Sequence, residues 1–122
     1  MKFGLTDTEL ESIINAFRQF EEIEEVLLFG SRAMNTYKTT SDIDLAIKGA
    51  NLSLNTITSL NALLEKLPIP YMFDVINYNK LKTDEFITHI ERYGIRLYKK
   101  EWVVKTLGEI TNWFWRHTFK TK

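Results

Sequence analysis

An α+β fold, with helices packed on a small mixed β-sheet, is predicted by three features of the 122-residue sequence. Short apolar or alternating runs take turns with stretches in which apolar residues recur every three or four positions. No internal repeat or low-complexity tract interrupts them, so the elements form one layered body. A hydrophobic fraction of 44% over this length supports a single domain with a modest core.

Each element has its own signal. Thr6 and Glu9 have capping-box spacing, and Leu10, Ile13, Ile14, Phe17 and Phe20 follow at helical intervals, which predicts an amphipathic helix over 7–20. Val26-Leu27-Leu28-Phe29, stopped by Gly30, reads as a strand buried on both faces. Residues 42–47 alternate with period two, turning Ile43, Leu45 and Ile47 to one face and Asp42 and Asp44 to the other. Ser53 caps a helix carrying Ile57, Leu60, Leu63, Leu64 and Leu67, which Pro68 and Pro70 end. Tyr71 to Ile76 form a third strand and Asn77 to Asn79 a turn. Thr83 caps a helix reaching about Arg92, and Gly94 releases the chain into an edge strand over 95–98.

Residues 1–98 make the body, and residues 99–122 differ in character. The tail holds all three tryptophans and six basic against two acidic residues, leaving ten basic against fourteen acidic before it. Docking a partner, covering a sheet edge and disorder are the three readings of this basic, aromatic segment. Trp102 to Ile110 faintly resembles the opening of type I restriction specificity subunits. Sixteen basic and sixteen acidic residues cancel over the whole chain, so no global field argues for nucleic acid or an anionic membrane as partner. Without cysteine there are no disulfides or thiolate sites. The start shows no secretion signal, and no apolar stretch approaches the ~20 residues that span a bilayer. A soluble, cytoplasmic protein is expected.

The chemistry is concentrated in residues 30–47 and Asp74. Gly30-Ser31 ends a buried strand and opens a helical turn, which aims backbone N–H groups and the Ser31 hydroxyl at one spot, as phosphate oxygens require. Glycine there admits close approach. Asp42 and Asp44 are two apart on a strand, roughly 6.5 Å along its axis, and share a face. Such carboxylates suit hard cations, and paired magnesium ions about 3.5–4 Å apart clamp the attacking and leaving oxygens of a displacement. Asp74, between core-facing Phe73 and Val75, adds a third carboxylate from a neighbouring strand. An isolated Asp-x-Asp is common on exposed strands and Gly-Ser is often only a turn. Three aspartates within apolar strands are different, because they repel and raise one another's pKa.

Gly30-Ser31, Asp42-Ile43-Asp44 and Asp74 together resemble the nucleotidyltransferases of the DNA polymerase beta superfamily, and among them the minimal nucleotidyltransferase (MNT) proteins. The likeness covers residues 1 to about 98 and implies the polymerase-beta-like nucleotidyltransferase fold. One departure is Met34-Asn35, where many relatives have Arg-Gly; asparagine tolerates positive φ, so the turn survives without that arginine. The resemblance implies that Gly30, Ser31 and Arg32 hold the phosphates of a nucleoside triphosphate, with Arg32 adding charge. It also implies that Asp42, Asp44 and Asp74 bind two Mg2+ ions, Asp74 taking the proton of the attacking hydroxyl.

MNT proteins similar to this one pair with a helical HEPN partner, often an RNA-cleaving toxin, and act as MntA-type antitoxins that adenylylate it on tyrosine. The likeness therefore implies ATP as donor and a protein tyrosine as acceptor. A small-molecule acceptor such as an aminoglycoside and a catalytically silent toxin-binding module are the alternatives. His89 and His117 have no second histidine or cysteine near them to complete a metal site, and Tyr71, Tyr78, Tyr93 and Tyr98 are expected at core edges.

Overall fold

A computed structural model describes residues 1–100; the readings of the 99–122 segment fall beyond Lys100 and so outside the described residues. The elements run α1 (Asp7–Phe17), β1 (Glu25–Phe29), α2 (Gly30–Ala33), β2 (Ile43–Lys48), α3 (Leu54–Glu65), β3 (Phe73–Asn77), a 3-10 turn (Tyr78–Lys80), α4 (Asp84–Tyr93) and β4 (Ile95–Lys99). The sheet order is β3-β2-β1-β4, with β1 antiparallel to both neighbours and β2 parallel to β3. The parallel pair requires a crossover, and α3 supplies it. The sheet is therefore mixed, as expected of an α+β fold.

The helix starts follow their caps. Thr6 Oγ1 accepts from Glu9 N–H and Glu9 Oε1 from Thr6 N–H, completing the capping box. Ser53 Oγ likewise accepts from Thr56 N–H. Thr83 occupies the N-cap of α4 but its side chain makes no capping bond. The first helix ends at Phe17, three residues before the apolar period does. Gln19 and Phe20 donate to Ala16 and Phe17, three residues back, and this tighter winding keeps Phe20 against the core outside the helix proper.

Both sheet faces are covered. Val26, Leu28, Ile43, Leu45 and Ile47 point to the main core beneath α1 and α3, all with 0% exposure. Leu27, Phe29 and Ala46 point to a second cluster with Ile90 of α4. Burying each large aliphatic side chain contributes about 1.5–3 kcal/mol, so this two-sided sheet is the principal stabilising element. The edge strand β4 departs from simple alternation. Its pairing with β1 slips between Val26 and Leu27, so that successive residues Leu97 and Tyr98 both enter the main core. The edge is longer than the sequence reading, since Lys99 is in β4 and Lys100 N–H donates to Glu24.

Candidate active site

The register of three strands decides where the aspartates meet. Phe29, the last residue of β1, is the Cα partner of Asp44, and Asp44 on β2 is the Cα partner of Asp74 on β3. The alternation that sends Ile43, Leu45, Phe73 and Val75 to the main core leaves Asp44 and Asp74 on the opposite face. Ile43 N–H donates to Met72 C=O at 2.8 Å, fixing the start of β2 against the start of β3. Asp42 lies one residue outside β2 and is exposed, as is Asp74, while Asp44 is half-buried. The three therefore line one open end of the sheet.

The turn after β1 closes over that end. Gly30 has φ +74°, in the left-handed region, and a Cβ added there would land inside the Asp44 carboxylate. Glycine at this position thus serves two needs at once: backbone conformation and direct packing on a carboxylate. The N-cap of α2 is Phe29, which offers no side-chain acceptor, so the first N–H groups of the turn lack a capping oxygen. Ser31 is partly exposed, and its hydroxyl makes no hydrogen bond to another described residue. Its carbonyl accepts from Thr36 N–H at 2.9 Å. Asn35, standing where the resemblance expects glycine, has φ +60°, so asparagine does carry the turn.

Arg32 is placed differently from the expectation that it touches phosphate. Its side chain turns inward and is only 1% exposed. Nε and Nη2 donate to Ser41 C=O at 3.1 and 2.7 Å, and Nη1 donates to Phe3 C=O at 2.9 Å. The guanidinium lies 4.3 Å from the centre of the Tyr71 ring and 5.4 Å from that of Tyr37. On a helix of one turn, the residue two places after Gly30 faces the interior, and the backbone carbonyls there consume its donors. Ser41, Tyr71 and Phe3 are thus partners that the sequence reading missed. The adjacency of Ser41 to Asp42 is the one trace of them in the sequence. His89 stacks near Tyr93, ring centres 5.1 Å apart, and Tyr98 is buried in the core.

The electrostatics match the crowding. Burial, then the neighbouring charges of Asp74 and Asp42, pushes Asp44 up from its ordinary 3.8 to about 6, with Arg32 pulling the other way. An all-oxygen donor set with surplus negative charge suits a hard divalent cation. Among the described residues, no three His, Cys, Asp or Glu side chains, Asp42, Asp44 and Asp74 included, stand close enough together to hold a metal ion by themselves. Magnesium keeps waters and substrate phosphates in its shell and takes only one or two carboxylates, so an open arrangement fits it.

A family model described as polymerase beta nucleotidyltransferase matches residues 11–102. The chain belongs to this family. No curated protein matches the sequence. Solved structures share the nucleotidyltransferase fold at low identity. One is a toxin–antitoxin structure with AMP-PNP, at TM-score 0.63 and 20% identity, covering 89% of this chain and 88% of the other. Another is the MntA–HepT toxin–antitoxin, at TM-score 0.59 and 16% identity over 93% and 87%. A third, a tri-AMPylated Shewanella oneidensis HEPN toxin in complex with MNT antitoxin, matches at TM-score 0.60 and 17% identity over 93% and 89%. No described helix of this nucleotidyltransferase is long and apolar enough to cross a membrane.

Proposed function

We propose that this nucleotidyltransferase transfers AMP from ATP, with magnesium, to a tyrosine hydroxyl of a helical HEPN-family protein, and so acts as a cytoplasmic antitoxin. The observation that carries the reading is the packing of Gly30 directly on the Asp44 carboxylate, which sets an uncapped phosphate turn and an acidic strand end face to face. The fold relatives named above, one with AMP-PNP and one with an AMPylated HEPN toxin, support ATP as donor and a HEPN protein as acceptor.

In this proposal the Ser31 hydroxyl and the N–H groups of the turn hold and orient the β- and γ-phosphates. Asp42, Asp44 and Asp74 are the residues that would hold the metal. Magnesium, when bound, supplies charge neutralisation to the triphosphate and polarises its α-phosphorus. Asp74, the most accessible of the strand carboxylates, accepts the proton of the acceptor hydroxyl as its oxygen attacks in line and pyrophosphate leaves. Orientation and electrostatics provide most of the rate in such transfers, so few side chains are required.

Space supports a protein as the acceptor. The sheet, its helices and the turn occupy the described residues, and the strand end carrying exposed Asp42 and Asp74 has no second lobe over it among them. A protein acceptor brings its own surface to that open end. Incubating the full chain with a HEPN protein encoded beside it, labelled ATP and magnesium should add AMP to the partner's intact mass. Label on an aminoglycoside, with none on the partner, would overturn the reading.

A further inference from the structure

Arg32 is a cation with 1% exposure, and among the described residues no carboxylate forms an ion pair with it. Burying such a charge is costly unless its donors are satisfied, and here three of them are spent on two backbone carbonyls. The choice of carbonyls is informative. Ser41 C=O belongs to the peptide group that enters Asp42, and it receives two of the three bonds. Ser41 is held from its other side as well, donating its N–H to Lys38 C=O at 3.0 Å and accepting from Lys38 N–H at 2.9 Å. Tyr71, which stacks on the guanidinium, lies three residues before Asp74. Arg32 itself is the residue after Ser31. One planar group therefore touches the chain immediately beside the phosphate turn, immediately before the Asp42–Asp44 pair and just ahead of the third carboxylate. A bidentate fork on one carbonyl fixes direction as well as distance, which a lysine cannot do.

We infer that Arg32 is a positioning residue that locks the phosphate turn and the three aspartates into one geometry. The inference rests on the proposed function, since it assumes that the aspartates hold a divalent cation. Groups that orient metal-binding side chains from behind typically alter metal affinity 10- to 100-fold when removed.

The test is Mn2+ binding to the full chain, followed by electron paramagnetic resonance without nucleotide, alongside thermal melting. Arg32→Lys keeps the charge and loses the fork; Arg32→Met loses both. Each folded variant should bind Mn2+ 10- to 100-fold more weakly than wild type, with Arg32→Lys the milder. A merely structural role would reduce the folded fraction and leave the half-saturation point of the folded molecules unchanged. Should Arg32→Met not fold, Gly4→Ala carries the same test from outside the site. Gly4 has φ +76°, and a Cβ there would stand 2.6 Å from Arg32 Nη1 and 2.6 Å from Tyr37 Cε2, displacing the guanidinium without removing any group. Wild-type affinity, within twofold, in folded Arg32→Lys and Gly4→Ala would overturn the inference and leave the proposed function standing. A wild-type chain that binds no Mn2+ would overturn both.

Discussion

Asp44→Asn should make the metal-free protein more stable at neutral pH while abolishing transfer. The carboxylate is shifted from 3.8 to about 6 because burial and the Asp74 and Asp42 charges disfavour its ionised form. In full, that displacement corresponds to about 3 kcal/mol of penalty on the charged state at neutral pH. Asp44 is half-exposed, and solvent screening reduces the expected figure to about 1 kcal/mol. For a domain of roughly 100 residues this is a rise of about 4–8 °C in melting temperature. The sign follows from linkage. The folded-state pKa is raised, so the folded protein holds this proton more tightly than the unfolded chain, and stability is lost as pH rises from 3.8 to about 6. The advantage of Asp44→Asn should therefore be complete above pH 7, about half as large near pH 5 and small at pH 4.

Scanning calorimetry in EDTA at pH 4, 5 and 7.5 measures this directly, and repeating it with magnesium and a non-hydrolysable ATP analogue should reverse the order, since only wild type gains ligand stabilisation. A variant that melts below wild type at pH 7.5 in EDTA would refute the repulsion argument. So would an advantage that does not change with pH, because packing rather than charge would then explain it.

Magnesium affinity should fall about tenfold between pH 8 and pH 5, because Asp44 must lose its proton to bind and only about a tenth is ionised one pH unit below its midpoint near 6; isothermal calorimetry at the two pH values would show it. Gly30→Ala should cost roughly 1–2 kcal/mol from the left-handed backbone alone, and transfer should fall further than denaturant unfolding accounts for, because the new methyl group displaces the Asp44 carboxylate. Asp74→Asn should lower the Asp44 midpoint only in part, because burial is the larger cause of its rise to about 6; carbon-13 titration of the side-chain carboxyls would read it, and an unmoved midpoint would mean that the Asp74 charge contributes nothing. Ser53→Ala should cost about 1 kcal/mol in urea unfolding, through loss of the Thr56 N–H cap, and leave magnesium binding unchanged.

The parts of the fold that were legible from the sequence are those governed by local rules. Period-two alternation correctly separated Ile43, Leu45 and Ile47 from Asp44, and capping chemistry located the starts of α1 and α3. Local rules failed where pairing or winding overrode them: Phe20 keeps helical spacing outside the helix, and Leu97 and Tyr98 share a face through a slip in β4. The site divides along the same line. Asp44 and Asp74 stand out in the sequence because polar residues inside apolar strands are costly, and Asp42 stands out by its spacing from Asp44. Arg32 was misread because an arginine beside a phosphate turn has the same local sequence whether it points outward to an anion or inward to a carbonyl.

The inward choice follows from what surrounds it. Two carbonyls, on partly buried Ser41 and Phe3, take hydrogen bonds from Arg32, and they lie nine and 29 residues away from it in the chain. No local pattern encodes a need distributed over three such segments. The same distribution explains why one side chain can hold them together. An arginine that reached the triphosphate would leave these carbonyls without that donor and Asp42 without its tether, so the charge it brought to the phosphates would be offset by a looser acidic strand. Under the proposed function, charge for the phosphates would come from the metal and the turn, and the guanidinium would contribute order.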